Sequence, residues 1–232
     1  MKASEFFTPE QVKLLSAIQK GERANAEAML QGGINLNVHG EEGITPLFWL
    51  ITQKDHKAIQ LALELGADPN LSDPGGDSPV TFVAGGNDDE LLRLLLKYGG
   101  DPNSTDRNGY PALFGAIGHD RWSQIEMLLE YGADLNFTDR SNRTSAHYAA
   151  FLNKFEIVHY LIDKGTDYTN RNTAGGDIAW LVHDRLSRNM LDPAFPGYEW
   201  ALKVKEQLKN KGVQFPPPSP KEIREQRAQQ GQ

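Results

Sequence analysis

Apolar residues along the chain fall in short triplets separated by a fixed distance. Ile59, Ala62 and Leu63 are followed by Leu92, Leu95 and Leu96, then by Ile125, Leu128 and Leu129, then by Val158, Leu161 and Ile162. Within a triplet the spacing is i, i+3, i+4, the buried face of a short helix whose other side is polar. From one triplet to the next the step is 33 residues. A second apolar set keeps the same step ahead of each triplet: Leu50-Ile51, Val83-Ala84, Ala116-Ile117 and Ala149-Ala150. The pattern predicts two short helices per period. Neither can bury its stripe alone, so neighbouring periods must stack.

The punctuation between stripes repeats too. A closing phrase reads Gly33-Ile34-Asn35-Leu36-Asn37, Gly66-Ala67-Asp68-Pro69-Asn70, Gly99-Gly100-Asp101-Pro102-Asn103, Gly132-Ala133-Asp134-Leu135-Asn136 and Gly165-Thr166-Asp167-Tyr168-Thr169. Its glycine is placed to stop the second helix as a left-handed cap. Gly43, Gly76, Gly109, Asn142 and Gly175 share a turn column in which positive φ is easy for Gly and tolerable for Asn. Two residues on come Thr45-Pro46, Ser78-Pro79, Pro111-Ala112, Thr144-Ser145 and Asp177-Ile178. Thr or Ser before Pro is an N-cap followed by the first helical position. Each unit therefore reads turn, helix, tight link, helix, glycine stop.

Both ends depart from the period. The first copy has lost its leading turn but keeps two stripes, Val12, Leu15, Ile18 and Ala26, Met29, Leu30, with the polar outer face a terminal repeat needs. The sixth closing phrase, Gly212-Val213-Gln214-Phe215-Pro216, arrives 47 residues after Gly165, which is one period and 14 extra residues. The extra length is expected between a helix running from Asp177 towards Arg188 and another from Tyr198 to Lys211 that buries Trp200, Ala201, Val204 and Leu208. Pro216-Pro217-Pro218-Ser219-Pro220 closes the fold, and the polar tail after it is expected to be disordered.

Gly43-Ile44-Thr45-Pro46-Leu47, the Gly-Ala-Asp-x-Asn phrases, and Thr144-Ser145-Ala146-His147-Tyr148-Ala149-Ala150 resemble the ankyrin repeat. The resemblance covers roughly residues 10–216. It implies an all-α ankyrin-repeat solenoid of about six helix-turn-helix units with β-hairpin fingers projecting from the base. The units are a capping repeat at 5–38, repeats at 39–71, 72–104, 105–137 and 138–170, and a C-terminal cap at 171–216 with its insertion near 189–197; residues 217–232 are the tail. The signature histidine is replaced by Phe48, Thr81, Phe114 and Trp180 in the other units, and the Gly-His after the first helix by Lys54-Asp55, Asn87-Asp88, Asp120-Arg121 and Asn153-Lys154.

Composition narrows the chemistry. Apolar content of 39% and charged content of 24% are those of a folded soluble protein. The net charge of −7 argues against nucleic acid, and no apolar run approaches the roughly 20 residues of a membrane span. Without cysteine there is neither a disulfide nor a thiolate metal site. The six histidines form no i, i+4 pair, and no metal or cofactor is expected. Gly76-Asp77-Ser78 resembles the start of an esterase nucleophile motif, but Ser78 falls in the helix-cap column. Asn103-Ser104-Thr105 and Asn142-Arg143-Thr144 match the glycosylation acceptor formally. His147 reads as a locally bonded helix-start residue.

Informative positions are those the repeat leaves free. Along the finger tips and first-helix ends they run from acidic Glu41, Glu42, Asp73 and Asp77, through Asp106, to basic Arg107, Arg140, Arg143 and Arg171. Gln53, Tyr110, His119 and Phe151 complete the set. Arginine with aromatic residues is the composition of protein-binding hot spots, so the order reads as a recognition surface for a protein of opposite polarity. Met190, Leu191 and Phe195 in the insertion are a second candidate contact, or else packing over the open end of the stack.

These readings point to non-catalytic protein binding. The chain further resembles bacterial ankyrin immunity proteins that neutralise secreted toxic enzymes, including phospholipase effectors of type VI secretion. The start Lys2-Ala3-Ser4 would suit a mature periplasmic form, and a cytoplasmic one is the alternative. Other readings are an ankyrin scaffold recruiting an unrelated protein, and an enzyme built on the irregular last unit around His183, Asp184 and Asp192.

Overall fold

Caps decide where the helices begin. The Thr45, Ser78 and Thr144 hydroxyls accept from the amides of Phe48, Thr81 and His147, and the Asp177 carboxylate accepts from Trp180. Each thereby satisfies one of the amides that a helix N-terminus leaves without a partner. Pro46 and Pro79 follow at the first helical position. Second helices carry caps of their own in two units, with Asp55 accepting from Ala58 and Asp88 from Leu91.

A computed structural model describes residues 1–229. The helices gather into two compact units, Met1–Ala116 with Ser123–Gly132, and Ile117–Trp122 with the chain from Ala133 onward. Unit one holds α1 (Pro9–Gln19), α2 (Arg23–Gln31), α3 (Pro46–Gln53), α4 (His56–Glu64), α5 (Pro79–Val83) and α6 (Asp89–Lys97), and the chain passes between units around α7 (Ala112–Gly118) and α8 (Trp122–Glu130). Unit two holds α9 (Ser145–Phe151), α10 (Phe155–Asp163), α11 (Ile178–Ser187), α12 (Pro196–Asn210) and α13 (Pro220–Gln229).

In unit one the helices of a repeat pair as α1 with α2, α3 with α4 and α5 with α6, while α4 packs on α1 and α6. In unit two α10 packs on α9 and α12, and α11 packs on α9 and α12. The stripes read from the sequence form these contacts. Ile59, Ala62, Leu92, Leu95, Ile125 and Leu128 are fully buried in the first unit, and Val158, Leu161, Val204 and Leu208 in the second.

The expected β-hairpin fingers are not there. Among the described residues there is no strand, only an isolated bridge between Thr105 and Pro111. Each finger is instead a tight five-residue loop closed by one backbone bond across its neck: Gly40 to Ile44 (2.9 Å), Asp73 to Asp77 (3.0 Å), Asp106 to Tyr110 (2.9 Å), Asp139 to Arg143 (3.1 Å) and Asn172 to Gly176 (3.0 Å). The reason is length. The residue after the neck is already the next helix cap in four of the fingers; in the third, Pro111 follows and one further bond, from the Ala112 amide to the Ser104 carbonyl (3.2 Å), makes the bridge. Side chains take the place of a ladder: Asp73, Asp106, Asp139 and Asn172 each accept from the amide at the far side of their own neck. Asn142 stands in the glycine column with φ of 54°, as its place there requires.

The tail also departs from expectation. Residues 220–229 form α13, and the disorder expected of residues 230–232 falls outside the described residues. The Ser219 hydroxyl accepts from the Glu222 amide (3.2 Å) and the Glu222 carboxylate from the Ser219 amide (2.7 Å), a reciprocal capping box with Pro220 at the first helical position. Pro220 packs at Gly175, and Arg224 Nη1 donates to the Ala174 carbonyl (3.3 Å), which ties the helix to the last finger.

Candidate protein-binding surface

In unit one the first three fingers are packed side by side. Pro74 occupies the space a side chain at Gly43 would need, and the Arg107 backbone lies against Gly76. Asp77 accepts from the Arg107 amide (3.2 Å) and from its guanidinium (Nη2 to Oδ2, 2.5 Å), so Arg107 is spent on its neighbour and holds two fingers together. Glu41 and Glu42 stand exposed at the first tip. Glu42 has φ of 56°, a conformation usually left to Gly, Asn or Asp. Gln53 is exposed at the end of α3, where its amide donates to Thr52 Oγ1 (2.9 Å). Tyr110 is exposed and stacked on Phe114, with ring centroids 5.8 Å apart.

The same unit presents an aromatic that sequence reading missed. Phe82 is 55% exposed and meets the buried Phe48 edge-on at 5.5 Å. It lies on α5, which stops after five residues: Ala84 leaves the helix with ψ of 132°, and Gly85 follows with φ of 86°. The break is held from behind by Gln124 of α8, which is fully buried. Its Oε1 accepts from the Gly85 amide (2.7 Å), and its Nε2 donates to the Gly86 carbonyl (3.2 Å) and to Asp89 Oδ1 (2.9 Å). The signal was Gly85-Gly86, two helix-weakening residues where the other units continue.

Unit two carries the basic fingers. Arg143 donates to Asp139 through Nε (2.8 Å), with Nη2 2.6 Å from the same oxygen, and its guanidinium lies 5.9 Å from the Tyr148 ring and 6.0 Å from that of Phe151. Burial pushes the Asp139 carboxyl up, but the Arg143 guanidinium and the amides of Arg143 and Ser141 outweigh it and hold the group below its ordinary value. Arg171 pairs with Asp177 (2.5 Å) and donates to the Gly175 carbonyl (2.9 Å). Arg140 and His119 are exposed, and Phe151 is 56% exposed. The acid-to-base order of the fingers is thus partly consumed within each unit, with Asp77, Asp139 and Asp177 already facing arginine.

The insertion divides. Leu191 is 8% exposed and packs inward, whereas Met190 and Phe195 are 51% and 65% exposed. The residues of the enzyme reading are engaged separately. Asp184 faces Arg188 (2.8 Å), Asp192 accepts from the Ala194 amide (2.9 Å), and the His183 ring lies 5.9 Å from that of Trp180. Ser78 is bonded to Thr81 and to Ser104 (2.8 Å) as a cap. Among the described residues no three His, Asp or Glu side chains gather where they could hold a metal ion. His147 is fully buried, with Nδ1 2.9 Å from Thr144 Oγ1 and Nε2 3.3 Å from the Gly176 carbonyl, the local role its position implied.

Residues 80–172 match the family model for ankyrin repeats, in three copies. This is an ankyrin-repeat fold. Among solved structures, the ankyrin repeat domain of Bcl-3, described as a unique member of the IkappaB protein family, superposes with a TM-score of 0.65 over 82% of this chain and 89% of that one, at 23% sequence identity. No curated protein matches the sequence. Ankyrin repeats typically act as protein-interaction modules rather than catalysts. No helix among the described residues is long and apolar enough to cross a membrane.

Proposed function

We propose that the protein binds and neutralises a toxic effector enzyme, as an immunity protein does, using finger tips and first-helix ends as its contact surface. The observation that carries the binding reading is that each unit leaves an aromatic of a first helix more than half exposed, Phe82 in unit one and Phe151 in unit two. Large apolar side chains left in water beside charged loops are the makings of an interface core with a polar rim. The choice of a secreted enzyme as partner, with a phospholipase-like effector of type VI secretion as the leading case and the periplasm as the meeting place, is supported by the likeness to bacterial ankyrin immunity proteins.

The test is co-expression with the product of the neighbouring gene, which this reading expects to be a toxic enzyme such as a lipase or nuclease. The reading expects a complex that survives gel filtration and loss of the enzyme's activity at an equimolar ratio. An active enzyme that elutes separately would reject it. An adaptor recruiting an unrelated protein is the second reading, and it predicts a stable complex with no loss of any activity in the partner.

A further inference from the structure

We infer that unit one takes a basic segment of its partner, with one large apolar side chain of that segment seated against Phe82. The inference rests on the protein-binding reading above and names the chemistry of one half of it. Three features of unit one support it.

The first is the break in α5. Phe82 stands exposed on a helix that ends at Val83, and that ending is built rather than frayed: a fully buried glutamine is committed to the amide and carbonyl of the two glycines that follow. A side chain at Gly115 would come within 2.8 Å of the Ala84 carbonyl, so the next first helix is also shaped to accept the break. Burying a polar side chain to hold an open loop is costly unless every bond is made, and here the bonds are made.

The second is charge. The loops 39–44 and 72–77 contain two acids each and no Lys or Arg, with His39 the one imidazole, bonded to the Ser72 carbonyl, and 105–110 contains one acid and one arginine. Arg107 answers Asp77, which leaves the row strongly acidic at the Glu41-Glu42 tip. An interface gains specificity and association rate when its partner carries the complementary sign. The third is Glu42 itself, a non-glycine residue held at positive φ on an exposed tip. Such a conformation costs of order 1 kcal/mol and is characteristic of functional positions. The occupant that fits is an extended Lys- or Arg-rich segment. About a dozen residues would span roughly 40 Å, enough to run along three adjacent fingers.

The experiment selects random peptides of about a dozen residues, displayed on phage, against the immobilised full chain, then measures a synthetic copy of the most enriched peptide by fluorescence anisotropy. Enriched peptides should carry more Lys and Arg than the starting pool, together with a large apolar residue. Phe82→Ser should weaken the synthetic peptide about tenfold, and the double variant Glu41→Gln, Glu42→Gln by a similar factor that shrinks as salt rises. Tyr131→Ser, which removes another partly exposed aromatic of the same unit, should change affinity less than about twofold. The inference is overturned if no peptide is enriched, if the enriched peptides are neutral or acidic, or if Phe82→Ser binds as the parent does. The two readings fail separately. An effector enzyme inhibited equally by the parent and by Phe82→Ser would sink this inference alone, and a peptide bound as described by a chain that inhibits no enzyme would sink the immunity role alone.

Discussion

Asn70 holds Asp101 of the next closing phrase, 31 residues on: its Oδ1 accepts from the Asp101 amide at 2.7 Å while its Nδ2 donates to the Gly99 carbonyl at 2.9 Å. The amide of Asn70 is itself fixed by Asp68 Oδ1 (2.8 Å). Asn37 makes the same pair of bonds to Gly66 (2.9 Å) and Asp68 (2.8 Å). The closing phrase therefore does more than stop a helix. Asp68, or Asn35 in the first phrase, orients the asparagine two residues on, and that asparagine clasps the next phrase, so one repeat positions the next.

Asn70→Ala should destabilise the chain by about 1–2 kcal/mol, since two solvent-accessible hydrogen bonds are lost and water replaces them in part. Asn70→Asp keeps the acceptor for Asp101 but turns a carboxylate oxygen towards the Gly99 carbonyl. It should be at least as damaging, although it conserves shape. Urea midpoints of the three proteins at equal denaturant sensitivity check the order; an aspartate variant as stable as the parent would show that the bond to Gly99 contributes nothing.

Gln124→Leu should cost more, about 2–3 kcal/mol. The substitution keeps an apolar side chain in the buried position, but the Gly85 amide loses its partner in a buried site, and the half-buried Gly86 carbonyl and Asp89 each lose a bond. Hydrogen exchange at the Gly85 amide should speed up beyond the change in global stability. Exchange that merely tracks global unfolding would mean the break in α5 is held by something else.

The helices were legible because each depends on residues within one turn of it: stripes, caps and glycine stops can be read from spacing alone. The fingers were not. Whether a loop becomes a hairpin depends on how much chain remains on its returning side, and the caps at Thr45, Ser78 and Thr144 begin too soon. The charge order was read correctly as sequence, but Arg107 meets an aspartate 30 residues away and Arg171 one in its own loop, so which charges stay available follows from the fold. Phe82 was overlooked because exposure is set by what packs against α5, which spacing along the chain does not show. The tail helix, by contrast, could have been found: Ser219-Pro220-Lys221-Glu222 is a complete start signal.

Stability should fall on mild acidification because of His147. Burial holds its imidazole below the ordinary value of 6.5, outweighing the Gly176 carbonyl and the charge of Asp177. A group depressed in the folded state contributes stability that is present above 6.5 and lost as the pH falls through the folded value, because the unfolded chain takes up the proton first. His56 has the opposite sign. Its hydrogen bond to Asp88 raises it, so its contribution is present below 6.5 and lost as the pH rises, but it sits near the surface and counts for less. The melting temperature should therefore drop between about pH 7 and pH 5.5, and His147→Gln should remove that drop or slightly reverse it. An unchanged slope in the variant would place the titrating group elsewhere.

Reversing the basic fingers separates binding from folding only at Arg140. Arg140→Glu should leave stability within about 0.5 kcal/mol, as for an exposed surface site, and any loss of partner affinity can then be assigned to the contact. Arg143→Glu should instead cost about 2 kcal/mol or more, because it sets a second carboxylate against the buried Asp139. Differential scanning calorimetry of both variants tests the contrast. Equal melting temperatures would mean that the Arg143–Asp139 pair does not hold the finger in solution.

The insertion offers the last contrast, since three residues proposed as one contact divide into two kinds. Leu191 is nearly buried, so Leu191→Ala should lower stability by about 2 kcal/mol through lost burial and the cavity left behind. Met190 and Phe195 face solvent, and Met190→Ala with Phe195→Ala should change stability by no more than about 0.5 kcal/mol each. If the insertion touches the partner, the Phe195 variant will lose affinity at parental stability, and the Leu191 variant will lose stability first and affinity only as a consequence. If it serves only to close the end of unit two, both exposed variants will bind as the parent does. Measuring affinity for the co-purified partner alongside the melting temperature decides between the two, and a Phe195 variant that loses both together would show that its ring packs against the fold in solution.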